Sequence, residues 1–357
     1  MNRSLARLLS LLALALPPAI AAAEARFAIE KLAEGVYAAV NAKPPGLMFD
    51  ANTVFIVNDE DVLVVDTGIT RQSALAAIAE LRRLTPRPVR YVVNTHWHDD
   101  HIAGNAAWLE AFPGAEVIGH ARTRGMLESV GAANRKGVQE GGPGFVAEIR
   151  AKLARGENLA GKPATDEEKA TLAGDADAAE AYIAASRDFR PVPPTILVEE
   201  RLTLVRGART IEIRWLGRAH TGEDLVVHLP KEGIVVAGDL VVWPVPLVGS
   251  TSFPADYGAT LAKLVALKPA ILVPGHGPVM RDDAYPRLLA ELMDSLASQA
   301  RAAVARGESL EEARKSVDLA RFRAAIAGGN SLREMLFGFY VSGPGIARAW
   351  GQASGKI

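Results

Sequence analysis

Apolar positions follow two rhythms along this chain. The segment 27–40 alternates weakly between apolar and polar residues and leads into the loop KPPGLMFDAN. Two short β-rich runs, 52–57 and 62–66, flank the turn NDED, which is the pattern of a hairpin. Leu75, Ile78, Ala79 and Leu81 then fall at helical spacing, predicting an amphipathic helix that ends near Thr85 and Pro86. Residues 89–95 make a buried strand, a helix follows over about 102–112, and a further strand covers 116–118. Strand and helix in alternation predict an α/β layered domain.

The rhythm breaks between about 145 and 190, where Ala, Glu, Lys and Leu dominate and Gly156, Gly161 and Pro163 interrupt. This stretch predicts an inserted helical pair, an arm or lid closed by PVPP at 191–194. β-rich character returns at 196–198, 202–205, 210–215, 225–229 and 234–236; 261–267 reads as helix and 271–273 as strand. From Ala284 the pattern is mainly helical with a Gly-rich tail. The expected organisation is one domain over 26–283 carrying the insertion, then a C-terminal helical extension over 284–357.

The first residues, MNRSLARLLSLLALALPPAIAAAEA, are read separately. Arg3 and Arg7 precede a short apolar run at 8–16, and small residues fill 21–25, the layout of a cleavable signal peptide over 1–25. Pro17 and Pro18 interrupt the apolar stretch and leave it short of a membrane span. A periplasmic or secreted protein with no stable span after processing is expected. With 357 residues and 49% hydrophobic content, the chain can bury one large core or two modest ones. Forty basic residues against forty-one acidic ones, a formal charge of -1, create no field to gather polyanions, so nucleic acid is not an expected partner. The lack of cysteine excludes thiolate ligands and a cysteine nucleophile.

Candidate chemistry concentrates in NTHWHDDHIAGN, residues 94–105. His96, His98, Asp100 and His101 stand between a predicted strand and a predicted helix, so imidazoles and a carboxylate fan out from one strand end. That crowding suits a metal ion, and the plainer alternative is a polar turn whose histidines face solvent. His220 stands in GRAHTGED, Asp239 in AGDLV and His276 in PGHGP. Their plainer readings are a surface histidine, a turn residue after Gly238, and a tight loop between two glycines.

These motifs resemble the metallo-β-lactamase superfamily, whose pattern is His-x-His-x-Asp-His at this place, and the resemblance runs over about 54–279. It implies a four-layer αββα sandwich with two metal ions. His96, His98 and His220 would hold the first, Asp100, His101 and His276 the second, and Asp239 would bridge them. Asp66, in VLVVDTG, resembles the family aspartate that orients a ligand by hydrogen bonding, and reads equally as a strand-terminal cap. His120 and His228 match no ligand position and read as surface or satisfied strand residues.

The implied activity is that of an exported dinuclear zinc hydrolase. Two zinc ions about 3.5–4 Å apart would present a hydroxide to a cyclic amide, lactone, ester or thioester of a small molecule. Asp100 would orient that hydroxide and accept its proton. The glutathione thioesterases called glyoxalase II share the bridging aspartate, whereas exported β-lactamases that have His101 usually lack it, and the chain departs from them at Asp239. The rival is an iron enzyme similar to persulfide dioxygenases, with a single ion on His96, His220 and Asp239. Diiron oxygen reductases usually carry glutamate where His98 stands. Leu47, Met48 and Phe49 are candidates for an apolar flap, and Trp97, Trp243, Pro244 and Pro246 for pocket walls; each reads equally as core or loop packing. The oligomeric state has no signal in the sequence.

Overall fold

β3 (Thr53–Val57) and β4 (Val62–Val65) are buried at every position, which in a sheet requires cover on both faces. The computed structural model, which describes residues 26–42, 46–48 and 50–357, provides that cover. The leader-like segment 1–25 and Phe49 lie outside the described residues.

The first sheet runs in the order β1 (Phe27–Ala33), β2 (Val36–Asn41), β3, β4, β5 (Val89–Val93), β6 (Glu116–His120) and β7 (Ile196–Val198). The hairpins β1 to β4 are antiparallel, and β4 to β7 are parallel. α1 (Arg71–Leu84), α2 (Asp99–Ile102) and α3 (Asn105–Ala111) fill the first crossovers. The second sheet is ordered β12 (Ile271–His276), β11 (Ile234–Val242), β10 (Leu225–Leu229), β9 (Arg209–Trp215) and β8 (Arg201–Arg206), parallel only between β11 and β12. The connection from β11 to β12 is α7 (Pro254–Ala266).

Val54, Ile56, Leu63, Val65 and Val93 of the first sheet pack against Ile211, Ile213, Leu225, Val227 and Val273 of the second. Ala74, Ile78, Leu81 and Trp108 of α1 and α3 cover the outer face of the first sheet. α7 and α8 (Ala284–Ala305) cover the second through Leu261, Leu264, Leu289, Leu292 and Leu296. The result is the expected layering of helix, sheet, sheet and helix. α9 (Leu310–Ser316), α10 (Ala320–Ala327), α11 (Ser331–Phe337) and α12 (Pro344–Ala353) follow, and Phe322, Leu336 and Ile346 join the same outer core. Among the described residues, no helix is long and apolar enough to cross a membrane.

Two elements differ from the pattern reading. The helical insertion starts well before 145: after α4 (Thr123–Met126) and a wider π-type turn at Leu127–Gly131, α5 covers Ala132–Ala154 and pairs with α6 (Asp166–Ser186). Gly137, Gly141, Gly142, Pro143 and Gly144 argue locally against a helix, and packing on α6 overrides them. β11 continues to Val242 instead of ending near Val236, so Asp239 lies within a strand and not in a turn.

Candidate metal centre

The strand ends of both sheets converge on one rim. His96, His98, Asp100 and His101 follow β5, Asp66 follows β4, His276 ends β12, and His220 precedes β10. Asp239 is turned inward by an irregularity of β11 at Gly238, a left-handed residue (φ 52°) whose missing Cβ makes room for Thr95. Gly275 allows the β12 backbone to approach Asp239, since a Cβ there would lie 2.0 Å from the carboxylate Oδ1.

The seven residues expected to ligate metal come together in two groups. His96, His98, His220 and Asp239 form one, and Asp100, His101, Asp239 and His276 the other; within each, the ligand-capable atoms lie within 4.8 Å of one another. His98 Nδ1 is 3.0 Å from His220 Nε2, while Asp100 Oδ2 is 3.2 Å from His101 Nε2 and 3.0 Å from His276 Nε2. Asp239 reaches both groups: Oδ2 is 3.5 Å from His220 Nε2 and Oδ1 is 3.3 Å from His101 Nε2.

Groups around the cluster fix which ring nitrogen faces inward. Backbone carbonyls only accept, so Nδ1 of His220 donates to Leu247 O and Nδ1 of His276 to Asp50 O, both at 3.0 Å. Asp66 Oδ2 accepts from His101 Nδ1 at 2.7 Å, and its two oxygens also accept the Thr95 N–H and hydroxyl. With its proton given to Asp66, the Thr95 hydroxyl is left to accept from His96 Nδ1 at 3.2 Å. In their neutral form all four rings would therefore present the Nε2 lone pair toward the centre, the form that binds a cation. His96 Nε2 is buried with no hydrogen-bond partner among the described residues, a cost that an ion would relieve.

Electrostatics divides the cluster. Burial, followed by the nearby His101 and His98, holds His96 well below the usual imidazole range; burial and His220 bring His98 down to about 3. Both rings are neutral, as ligands must be. Around the second group, burial alone would lower His101 and His276, but carboxylates outweigh it. Asp100, Asp66 and Asp239 raise His101 well above its usual value, and Asp239 with Asp100 brings His276 up to about 9. Burial disfavours charge on Asp100 and Asp239, yet the histidines beside them hold both well below the carboxylate range. This half of the cluster demands positive charge, from protons or from metal. The donor set therefore fits metal cations.

Beside the cluster lies a cavity of about 400 Å³. Its walls include Leu47, Met48, Ile69, Trp97 and Leu247, and His98, Asp100 and Asp239 open into it. Leu47 and Met48 thus take the flap position. Trp243, Pro244 and Pro246 are not among its walls: β11 carries the chain past the site, and Trp243 lies against Gly277 and under Arg333. His120 accepts from Arg122 N–H and packs on Trp215, and His228 meets Glu212; neither joins the cluster.

Four further residues had no signal in the sequence pattern: Asp99, Arg135, Tyr182 and Asp175. Asp99 accepts from Arg135 of α5 and Tyr182 of α6, tying the helical arm to the histidine-rich turn. Asp175 of α6 accepts from the backbone N–H groups of Leu47 and Met48, and burial raises its carboxyl to about 6.

Comparison with known proteins agrees with this arrangement. The model of the metallo-beta-lactamase superfamily matches residues 48–276. The chain is 24% identical over 248 residues to a linear primary-alkylsulfatase of Pseudomonas sp., covering 67% of this chain and 44% of that protein. It is 35% identical over 77 residues to a hydroxyacylglutathione hydrolase of Gloeobacter violaceus, 20% of this chain and 31% of the relative. The match thus spans less than half the length of either relative. Among solved structures, a stereoselective inverting sec-alkylsulfatase from Pseudomonas sp. superposes with TM-score 0.63 at 14% identity, covering 91% of this chain and 50% of that one. A metallo-beta-lactamase from Pontibacter korlensis gives TM-score 0.52 at 18% identity, over 75% of this chain and 99% of the other. These two likenesses show the fold, and the hydrolases among the curated relatives support an enzyme. Because the matched span takes in all seven clustered residues, in the layers and at the sheet rim described above, the chain belongs to the metallo-beta-lactamase superfamily.

Proposed function

We propose that the protein is an exported dinuclear zinc hydrolase that cleaves an ester-like or cyclic amide bond of a small molecule. One observation carries the reading: two groups of ligand-capable atoms share Asp239, so two ions would sit side by side on a common carboxylate. Zinc bound there would supply a water acidic enough to act as a nucleophile near neutral pH. Among the chain's own groups, Asp100 has the role of orienting the attacking water and taking its proton. Its side chain is 18% exposed beside the almost fully buried His101, His276 and Asp239, and it opens into the cavity. Asp66 holds His101 in register, and Trp97, Leu47 and Met48 exclude bulk water. The mononuclear iron alternative would use His96, His220 and Asp239 and give Asp100, His101 and His276 no task. Export rests on the leader-like segment 1–25.

The test is hydrolysis of a panel of β-lactams, lactones, thioesters, phosphodiesters and alkyl sulfate esters before chelation, after it, and after zinc is returned. At least one class is expected to be cleaved, with activity lost to the chelator and regained with zinc. Turnover indifferent to chelation, or not restored by zinc, contradicts the proposal.

A further inference from the structure

The site cavity does not end at the flap. A second cavity, of about 490 Å³, adjoins it between α5 and α6, and Met48, Asn134 and Val138 wall both spaces. Away from that junction its walls are apolar: Gly137, Gly142, Phe145, Ala179 and Ile183 face it, with no charged side chain among them. The α5 side, from Ala133 to Phe145, extends for about 18 Å along the helix axis. A volume of this size is ordinary for a small-molecule site, whereas an apolar groove open to water is unfavourable unless something apolar occupies it.

Gly137 shows that space is kept there. A Cβ built on it would meet nothing within 4 Å, and its backbone is ordinary helix, so a residue with a Cβ would fit there without backbone strain. Glycine at such a position gives up helix stability relative to alanine. The same glycine leaves the groove open.

We infer that this groove holds the apolar tail of the substrate, an acyl or alkyl chain whose polar, scissile head lies at the His/Asp cluster. The inference rests on the hydrolase reading for the head and on the groove alone for the tail. The two spaces adjoin across Met48, Asn134 and Val138: the head would lie at His98, Asp100 and Asp239, and the tail would pass Met48 and Val138 into the cleft of the arm. A chain enclosed there gains roughly three- to four-fold in affinity for each methylene removed from water, until the groove is full.

The experiment titrates the purified, metal-loaded protein with dansyl-undecanoic acid by fluorescence, then displaces the probe with butyrate, octanoate and dodecanoate. Displacement is expected to strengthen by more than about ten-fold from butyrate to octanoate and again to dodecanoate. Gly137→Leu, which fills the groove, and Phe145→Ser, which makes one wall polar, are each expected to weaken probe binding by about ten-fold or more while metal content stays that of the parent and each variant still unfolds cooperatively, Gly137→Leu with a midpoint no lower than the parent's and Phe145→Ser with a lower one. Displacement independent of chain length, or both variants binding as the parent does, overturns the inference. Unchanged affinity together with altered sedimentation of the variants would assign the groove to contact between copies of the chain, and overturns it as well. Binding is read without turnover, so a protein that holds the probe yet hydrolyses nothing contradicts the hydrolase reading and leaves the groove standing.

Discussion

The metal cluster and the helical arm face each other across one cavity, yet they are held by different means. The cluster is built on strand ends of two sheets, with His96, His101, His220, Asp239 and His276 at most 2% exposed. Asp66, Asp50 O and Leu247 O fix its rings from behind. The arm has a glycine-rich first helix, a small apolar contact between α5 and α6, and a few polar pins. Asp99 ties it to the histidine-rich turn, Asp175 to the flap, and Glu167 to Asn330 at the start of α11. The cluster thus stands on the most deeply buried part of the fold, and the arm beside it rests on a smaller apolar contact of its own.

If that division holds, changes in the cluster should remove turnover and changes in the arm should move binding or stability. The largest effect is expected at Asp239→Ala, which takes the shared carboxylate from both groups. Turnover of whichever panel substrate the parent cleaves should fall by more than about a thousand-fold with the circular dichroism spectrum retained. Arg135→Ala comes next. It leaves Asp99 buried with one partner fewer, and the loss of a buried pair costs about 3–5 kcal/mol, read as a lower denaturation midpoint. Metal content should stay that of the parent, and a loss of metal would break the comparison.

Asp66→Asn should weaken metal binding about 10- to 100-fold, because the amide no longer draws the His101 Nδ1 proton as a carboxylate does. Equilibrium competition with a chelator measures it. The smallest effect concerns Asp175, whose carboxyl is raised from 3.8 to about 6 by burial, against the two flap N–H groups. A raised carboxyl contributes stability that is full below its unfolded pKa and lost as pH rises through the folded value. Between about pH 4 and pH 8 the parent should therefore lose stability relative to Asp175→Asn, by at most about 3 kcal/mol. Parallel stability curves for the two proteins would remove Asp175 from the account.

The same contrast explains what could be read from the chain alone. The run from His96 to His101 is legible because its ligands are contiguous and sit where strand gives way to helix, and the hairpin of β3 and β4 because burial on both faces leaves an unbroken apolar pattern. Asp239 reads as a turn residue because Gly238 precedes it, although the glycine serves an irregularity inside β11. α5 is half hidden, since Gly137, Gly141, Gly142 and Pro143 oppose helix locally and only the packing of α6 supports it. Asp99 is silent because its partners Arg135 and Tyr182 lie 36 and 83 positions away, and no spacing rule joins them. Nearness in sequence misleads for Trp243, Pro244 and Pro246, since a strand that delivers one residue to a site carries the next ones past it.

The most direct test of the account is a metal count by mass spectrometry on the purified, unchelated chain and on Asp239→Ala. Two zinc ions per parent chain, and fewer than one in the variant, are the predicted result. A single iron per chain, or a parent and variant that carry the same metal, would contradict it.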